Sequence, residues 1–208
     1  MLKIGVMVSG GGTNLQAILD AISCGSLPDC RVVTVVSSKP GAGALGRAQN
    51  AGIPSAVFSR RDYADPDACD ADVLSHMQAH GVQLVVLAGF LSLIGERLIH
   101  AYPQAILNVH PSLVPSFCGK GFYGIIPHRK ALEYGVKVSG ATVHFVEPDY
   151  DSGPIVLQKA VAVLEDDTPE TLQKRVMEEA EWKLLPEAIR LYAAGKLQVN
   201  GRHVTVLP

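Results

Sequence analysis

The prediction of architecture starts from Ile106 to Pro115, which read Ile-Leu-Asn-Val-His-Pro-Ser-Leu-Val-Pro. The first residues are aliphatic apart from Asn108 and predict a short buried strand of a parallel sheet, because such strands are nearly unbroken apolar runs. Functional groups in open parallel sheets lie just beyond the carboxyl ends of the strands, where this stretch places Asn108 and His110. An amide N–H can donate to a developing oxyanion, and an imidazole titrates near neutrality. The alternative is that Asn108 caps a turn and His110 is a hydrogen-bonded surface histidine.

Strand-like runs alternate with helical segments through the first half of the chain. Leu2 to Val8 reads as a strand, and the apolar residues from Leu15 to Ile22 then fall on one helical face. Leu84 to Ala88 reads as a central strand of the same kind. This alternation is typical of βαβ units. We therefore expect an α/β fold with an open, mostly parallel, twisted, Rossmann-like sheet and helices on both faces.

The pattern changes after His110. The segment from Phe117 to Ile126 is rich in glycine and predicts a mobile loop. Residues 140–146 and 155–163 predict antiparallel strands at the edge of the sheet. A long helix is expected to begin after Thr168, an N-cap residue followed by proline, and to kink or break at Pro186.

Composition limits the possible functions. The chain has 208 residues, which favours one domain, and its net charge of −2 offers no basic surface for nucleic acid. The four cysteines form no CxxC pair or zinc-ligand pattern, so free thiols in a reducing compartment are expected. No apolar run approaches the ~20 residues of a membrane span, and no signal peptide is apparent. We therefore predict a cytoplasmic protein without a membrane partner.

The turn from Ser9 to Asn14 is a candidate phosphate site. Its glycines lead from a strand directly into a helix, and backbone N–H groups at a helix N-terminus favour an anion. The turn matches neither the P-loop nor the dinucleotide fingerprint. A phosphate of a mononucleotide-like ligand is preferred over the alternative, a tight structural turn.

The turn from Asp149 to Gly153 supplies a candidate partner for His110. Asp151 would orient the imidazole, stabilise its charged form and raise its pKa, although acidic turns are also commonly solvated. His144 lies on a predicted strand, where a hydrogen-bonded core histidine is the simpler interpretation. A metal site formed by His110, His144 and Asp151 is possible from ligand type alone.

Five motifs occur together in one order, and they are listed here from the N-terminus: Ser-Gly-Gly-Gly-Thr-Asn-Leu-Gln at 9–16, Leu-Ala-Gly-Phe at 87–90, Asn-Val-His-Pro-Ser-Leu-Val-Pro at 108–115, Thr-Val-His-Phe-Val at 142–146 and Asp-Ser-Gly-Pro-Ile at 151–155. This set resembles the phosphoribosylglycinamide formyltransferase family, folate-dependent formyltransferases of purine biosynthesis. The resemblance covers about residues 1–195.

The resemblance implies a role for each matching residue. It implies one domain over 1–208, with a nucleotide-binding half at about 1–100 and a folate and catalytic half at about 101–208. The implied catalytic residues are Asn108, His110 and Asp151, with His144 as a possible supporting residue behind them. The implied substrate-binding residues are Gly11, Gly12, Thr13, Asn14 and Glu181. The implied folate-binding residues are Leu91, Ser92, Leu93, Ile94, Glu147, Pro148, Asp149 and Tyr150.

The implied reaction is formyl transfer from 10-formyltetrahydrofolate, as cosubstrate, to the amine of glycinamide ribonucleotide in de novo purine biosynthesis. No metal is required, and a monomer or homodimer is expected. The alternatives are a formyltetrahydrofolate hydrolase and a non-catalytic nucleotide- or folate-binding module.

Three features depart from the family pattern. Trp182 stands where histidine often follows the late glutamate, and the loop after Pro115 is longer than usual. The basic residue that many relatives place before the third helix has only Arg60 and Arg61 as nearby candidates.

Overall fold

The computed structural model describes residues 1–208, and their contacts divide the chain into two compact units, Met1–Asn108 and Val109–Pro208. The boundary lies inside the strand that carries Asn108 and His110. Organisation as a single domain with two functional halves stays a prediction.

The first unit alternates strands and helices. Its elements in chain order are β1 (Leu2–Val8), α1 (Thr13–Ser23), β2 (Cys30–Ser37), α2 (Gly43–Asn50), β3 (Ser55–Val57), α3 (Pro66–Ala79), β4 (Leu84–Leu87), α4 (Glu96–Ala101) and the first part of β5 (Ile106–His110). The strands pair in parallel in the order β3-β2-β1-β4-β5. The predicted βαβ alternation is confirmed.

Burial explains why these segments form strands and helices. All four residues of β4 are buried, as expected for a parallel strand covered on both faces. Leu15 and Ile18 of α1 are fully buried, so the apolar face predicted from the sequence is the packed face.

The second unit contains the end of β5 and the antiparallel strands. Its other elements are α5 (Ile126–Tyr134), β6 (Val138–Phe145), β7 (Ile155–Ala162), α6 (Pro169–Val176), α7 (Trp182–Ala193), β8 (Leu197–Asn200) and β9 (His203–Val206). The strand order here is β5-β6-β7, β6 and β7 are antiparallel, and β8 and β9 form a separate hairpin. The predicted α/β class, mostly parallel with antiparallel strands, is confirmed.

The structure shows no helix break at Pro186, so that prediction is wrong, and a kink there stays a prediction. Pro186 lies inside α7, and the departure from α-helical geometry is a π-helical turn at Met177–Glu181. A proline near the start of a helix removes a single N–H donor, so it can be accommodated when the preceding turn has already changed register. No helix in the chain is long and apolar enough to cross a membrane.

Candidate active site

Asp151 lies between two histidines in the second unit. Its Oδ2 is 3.5 Å from His110 Nδ1, and its Oδ1 is 3.4 Å from His144 Nε2. The three side chains are nearly inaccessible, with exposed fractions of 5% for His110, 11% for Asp151 and 3% for His144. The structure therefore brings together the predicted pair and the predicted supporting histidine.

The turn that presents Asp151 is sterically constrained. Asp151 has a φ of 49°, in the left-handed region that non-glycine residues rarely adopt. A Cβ on Gly153 would overlap the carbonyl oxygen of Phe145, so only glycine fits there. The N–H of Phe145 donates to the carbonyl of Pro154 at 2.9 Å and fastens the turn to the end of β6. The Asp-Ser-Gly-Pro motif thus fixes the carboxylate by backbone geometry.

The loop between β5 and α5 contacts the same groups through its backbone. His110 Nε2 lies 3.1 Å from the carbonyl oxygen of Phe117, and the N–H of Gly119 donates to Asp151 Oδ2 at 2.8 Å. Phe117 has a φ of 51° and Gly119 a φ of 91°, so the contacting segment is tightly turned. The predicted loop is irregular in the structure, whereas its mobility stays a prediction.

Burial determines the direction in which the pKa of His110 shifts. Loss of solvent lowers the pKa of His110, and this effect outweighs the raising effects of Asp151 and the Phe117 carbonyl. The predicted raising effect of Asp151 on this pKa is therefore confirmed, although burial makes the total shift downward. Burial also acts to raise the pKa of Asp151, but the contacts with His144, His110 and Gly119 outweigh burial, so this pKa is lowered.

His128 in α5 is a site residue that sequence reasoning missed. Its side chain is fully buried, and neither ring nitrogen has a hydrogen-bond partner. Burial and the nearby charge of His110 lower the pKa of His128 to about 4, so the ring is neutral at physiological pH. A histidine on a helical face carries no sequence signal that would distinguish it from a solvated one.

Asn108 is half-buried and is the last residue of the first unit. It pairs in register with Leu87 of β4. Residues i and i+2 of a strand point to the same face, so Asn108 and His110 share one face of β5.

The glycine turn of the first unit has the features of an anion site. Gly12 caps α1 with a φ of 76°, and no side chain caps the helix N-terminus. A Cβ on Gly12 would lie 2.6 Å from that of Ala44, so close packing on α2 also requires glycine. Arg47, which sequence reasoning missed, donates from Nε to the Gly11 carbonyl at 2.8 Å and brings a cation to the turn.

The predicted folate segment borders a pocket within the first unit. Ser92, Leu93 and Ile94 line this pocket, and Leu91 is 43% exposed. The N–H of Leu91 donates to Ser9 Oγ at 2.9 Å. Arg60 also lines the pocket, where its Nη2 donates to both carboxylate oxygens of Asp70 at 2.8 and 2.7 Å. Arg60, one of the two candidates for the family's basic residue, is therefore already paired with Asp70.

The remaining predicted binding residues lie in the second unit. The four residues Glu147, Pro148, Asp149 and Tyr150 are exposed on the turn after β6. Glu181 is 6% exposed and ends the π-helical turn, a feature frequent at functional sites. The ring N–H of Trp182 is buried without a hydrogen-bond partner. No group of three histidine, cysteine or acidic side chains is arranged to hold a metal ion.

Comparison with known proteins assigns the family. The Formyl transferase family model matches residues 2–189. The chain is 43% identical over 188 residues to the chloroplastic phosphoribosylglycinamide formyltransferase of Arabidopsis thaliana, covering 90% of this chain and 64% of that protein. It is 37% identical over 200 residues to the phosphoribosylglycinamide formyltransferase of Haemophilus influenzae, covering 96% and 91%.

Structural comparison agrees. The crystal structure of glycinamide ribonucleotide transformylase 1 from Symbiobacterium toebii superposes with a TM-score of 0.94 at 47% sequence identity, covering 100% of this chain and 95% of that one. The chain belongs to the formyl transferase family, as the ordered motifs predicted.

Proposed function

We propose that this chain transfers the formyl group of 10-formyltetrahydrofolate to the amine of glycinamide ribonucleotide in purine biosynthesis. The observation that supports it most strongly is the buried His110–Asp151 pair, with 3.5 Å between Nδ1 and Oδ2, at the end of β5 in a member of the formyl transferase family.

Asn108 and His110 are the proposed donors to the tetrahedral intermediate. Attack of the amine on the formyl carbon converts the carbonyl oxygen into an oxyanion. The Asn108 amide N–H and a protonated His110 ring N–H supply the hydrogen bonds that this charge requires. Both side chains lie on one face of β5, which supports their acting on one group.

His110 is also the proposed carrier of the proton. The attacking amine must lose one proton, and the folate nitrogen that leaves must gain one, so the reaction needs a group that both accepts and donates. Burial disfavours the charged form of the His110 ring and lowers its pKa, which favours acceptance of a proton followed by its ready release. Asp151 then stabilises the imidazolium that forms.

Two regions of the first unit are the proposed binding sites. The phosphate of the ribonucleotide binds the N–H groups of Gly11, Gly12, Thr13 and Asn14 at the start of α1, with Arg47 contributing positive charge. The folate ring binds along residues 91–94, where exposed leucines border the pocket.

We propose that residues of the second unit also contact the two substrates. The turn at residues 147–150 contacts the folate, and Glu181 contacts the ribonucleotide. His144 supports Asp151 from behind. We further propose small-molecule substrates rather than nucleic acid or a membrane as partners, a cytoplasmic location, and a monomer or homodimer.

A direct assay tests this function. Purified protein is incubated with 10-formyltetrahydrofolate and glycinamide ribonucleotide, and the formylated ribonucleotide and free tetrahydrofolate are quantified, with water as the only acceptor in a parallel reaction. Formyl transfer that depends on the ribonucleotide supports the proposal. Formate release without acceptor indicates a hydrolase, and ligand binding without turnover indicates a binding module.

A further inference from the structure

The ring of His144 is held in one tautomer by the backbone. Nδ1 lies 2.7 Å from the carbonyl oxygen of Phe145, and the residue is 2% exposed. A carbonyl oxygen can only accept a hydrogen bond, so Nδ1 must carry a proton. Both atoms belong to β6, so this constraint is part of regular secondary structure.

The contact with Asp151 then limits the protonation of the other ring nitrogen, Nε2. Nε2 of His144 lies 3.4 Å from Asp151 Oδ1 in a buried site. If Nε2 carried a lone pair and Asp151 were ionised, two electron-rich atoms would face each other in a low-dielectric environment, which is repulsive. The contact is attractive only when a proton lies between them, either on Nε2 or on the carboxylate oxygen.

We propose that His144 is a positioning residue that acts through Asp151, with one proton held between the two side chains to limit how strongly the carboxylate attracts the proton of His110. This deepens the proposed function and rests on it for its catalytic meaning. A carboxylate with an uncompensated charge would hold the His110 imidazolium too tightly, and His110 must release its proton as readily as it accepts one. The shared proton is not consumed, because the amine loses one proton and the folate nitrogen gains one.

The two histidines differ in what fixes them. His110 Nε2 faces the Phe117 carbonyl in a glycine-rich loop, so its tautomer can change if that loop moves, whereas the carbonyl partner of His144 is part of a strand. The other titratable groups near this cluster are His128 of α5, whose charge would repel that of His110, and Cys118, whose thiol interacts with Asp151. His144 is therefore the group whose proton is fixed by regular structure.

Nuclear magnetic resonance of the wild-type protein tests the shared proton without any substrate. The ¹⁵N shifts of the His144 ring and the ¹³C shift of the Asp151 carboxyl are measured at pH 7. We expect a protonated Nδ1 together with either a protonated Nε2 or a protonated carboxyl. An unprotonated Nε2 beside an ionised Asp151 would overturn the proposal.

Two substitutions test the effect on His110. His144→Gln keeps an N–H donor toward Asp151, and His144→Asn keeps one toward the Phe145 carbonyl, but neither side chain has a ring nitrogen that can share a proton with the carboxylate. Removing the shared proton leaves the full carboxylate charge on His110, so its titration should move to higher pH by about one unit. The limb of the formyl-transfer pH profile that reports His110 should move equally.

His80→Gln is the matched control. His80 Nδ1 also contacts a backbone carbonyl, that of His76 at 2.8 Å, on helix α3 of the first unit. This variant should leave the His110 titration unchanged. An unchanged or lowered His110 titration in the folded His144 variants would overturn the proposal. Because the His110 titration is read in the free protein, it decides this inference even if the formyl-transfer assay fails.

Discussion

The turn around Gly12 and the cluster around Asp151 are built from different parts of the chain. The turn uses consecutive residues and relies on backbone N–H groups, a left-handed glycine and the start of α1. The cluster uses side chains from positions 110, 144 and 151 and relies on burial to make their charges interact strongly. The comparison teaches that a candidate anion site can be predicted from local sequence, whereas a candidate proton-transfer site depends on residues that are distant in the chain. Substitutions in the turn should therefore act on binding and stability, and substitutions in the cluster on the chemical step.

The largest effect is expected for Asp151→Asn. Loss of the charge removes the group that stabilises the His110 imidazolium, so kcat should fall by about 10² to 10⁴. The pKa of His110 should fall further, because Asp151 acts to raise it. Steady-state kinetics and a His110 titration measure both effects, with the exposed Asp166→Asn as the control. Full kcat across the pH range would remove His110 and Asp151 from the mechanism.

Asn108→Ala should have the next largest effect. Loss of one oxyanion donor should lower kcat by about 10² to 10³ with little change in KM. Combined with Asp151→Asn, the loss should be smaller than the product of the single losses, because both residues act on one transition state. Replacement of the exposed Asn50 by alanine serves as the control. Strictly multiplicative losses would show that the two residues act independently.

Asp167 is a second buried carboxylate, and it differs from Asp151 in that its partner is an arginine. It is bound by Arg175 at 2.6 and 2.7 Å rather than by histidines, and its side chain is 1% exposed. Asp167→Asn should destabilise the protein by about 2 kcal/mol while leaving kcat unchanged. Thermal unfolding should show a fall in Tm of about 4 to 8 °C, with Asp166→Asn again as the control.

The stabilisation by Asp167 should depend on pH in a defined direction. The Arg175 contact lowers the pKa of Asp167 below its unfolded value, so the carboxylate stabilises the fold above about pH 3.9, and this contribution is lost as the pH falls below it. The Tm difference between wild type and Asp167→Asn should shrink in acid. A constant difference from pH 7 to pH 2 would contradict the assignment.

The smallest effects are expected in the glycine turn, where two neighbouring positions can be compared. A Cβ on Gly11 would meet nothing within 4 Å. A Cβ on Gly12 would lie 2.6 Å from that of Ala44, and the substituted residue would have to adopt the left-handed φ of 76° that Gly12 has. Gly12→Ala should therefore destabilise the protein by about 1 to 2 kcal/mol. Gly11→Ala should keep the Tm and raise KM for the ribonucleotide several-fold without lowering kcat. A normal KM in Gly11→Ala would argue against phosphate binding at this turn.

Several features of the fold follow from local pattern. The wholly apolar β4 and the apolar face of α1 predict buried elements, and both are buried. The irregular loop after β5 follows from its glycine content. The prediction of a helix break at Pro186 is wrong because proline shows only which N–H is missing, and the helical irregularity lies instead at the preceding π-helical turn.

The sequence by itself determined the family and the class of fold, and it predicted that His110 and Asp151 lie together, because ordered motifs and hydrophobic periodicity are local properties of the chain. Tertiary structure alone decided the contact of His144 with Asp151, the buried His128, the position of Arg47 on the glycine turn and the direction of the His110 pKa shift. The physical reason is that burial and the positions of backbone carbonyls arise from segments far apart in sequence. These set the local dielectric environment and the allowed tautomers, so they determine which imidazole can hold a proton.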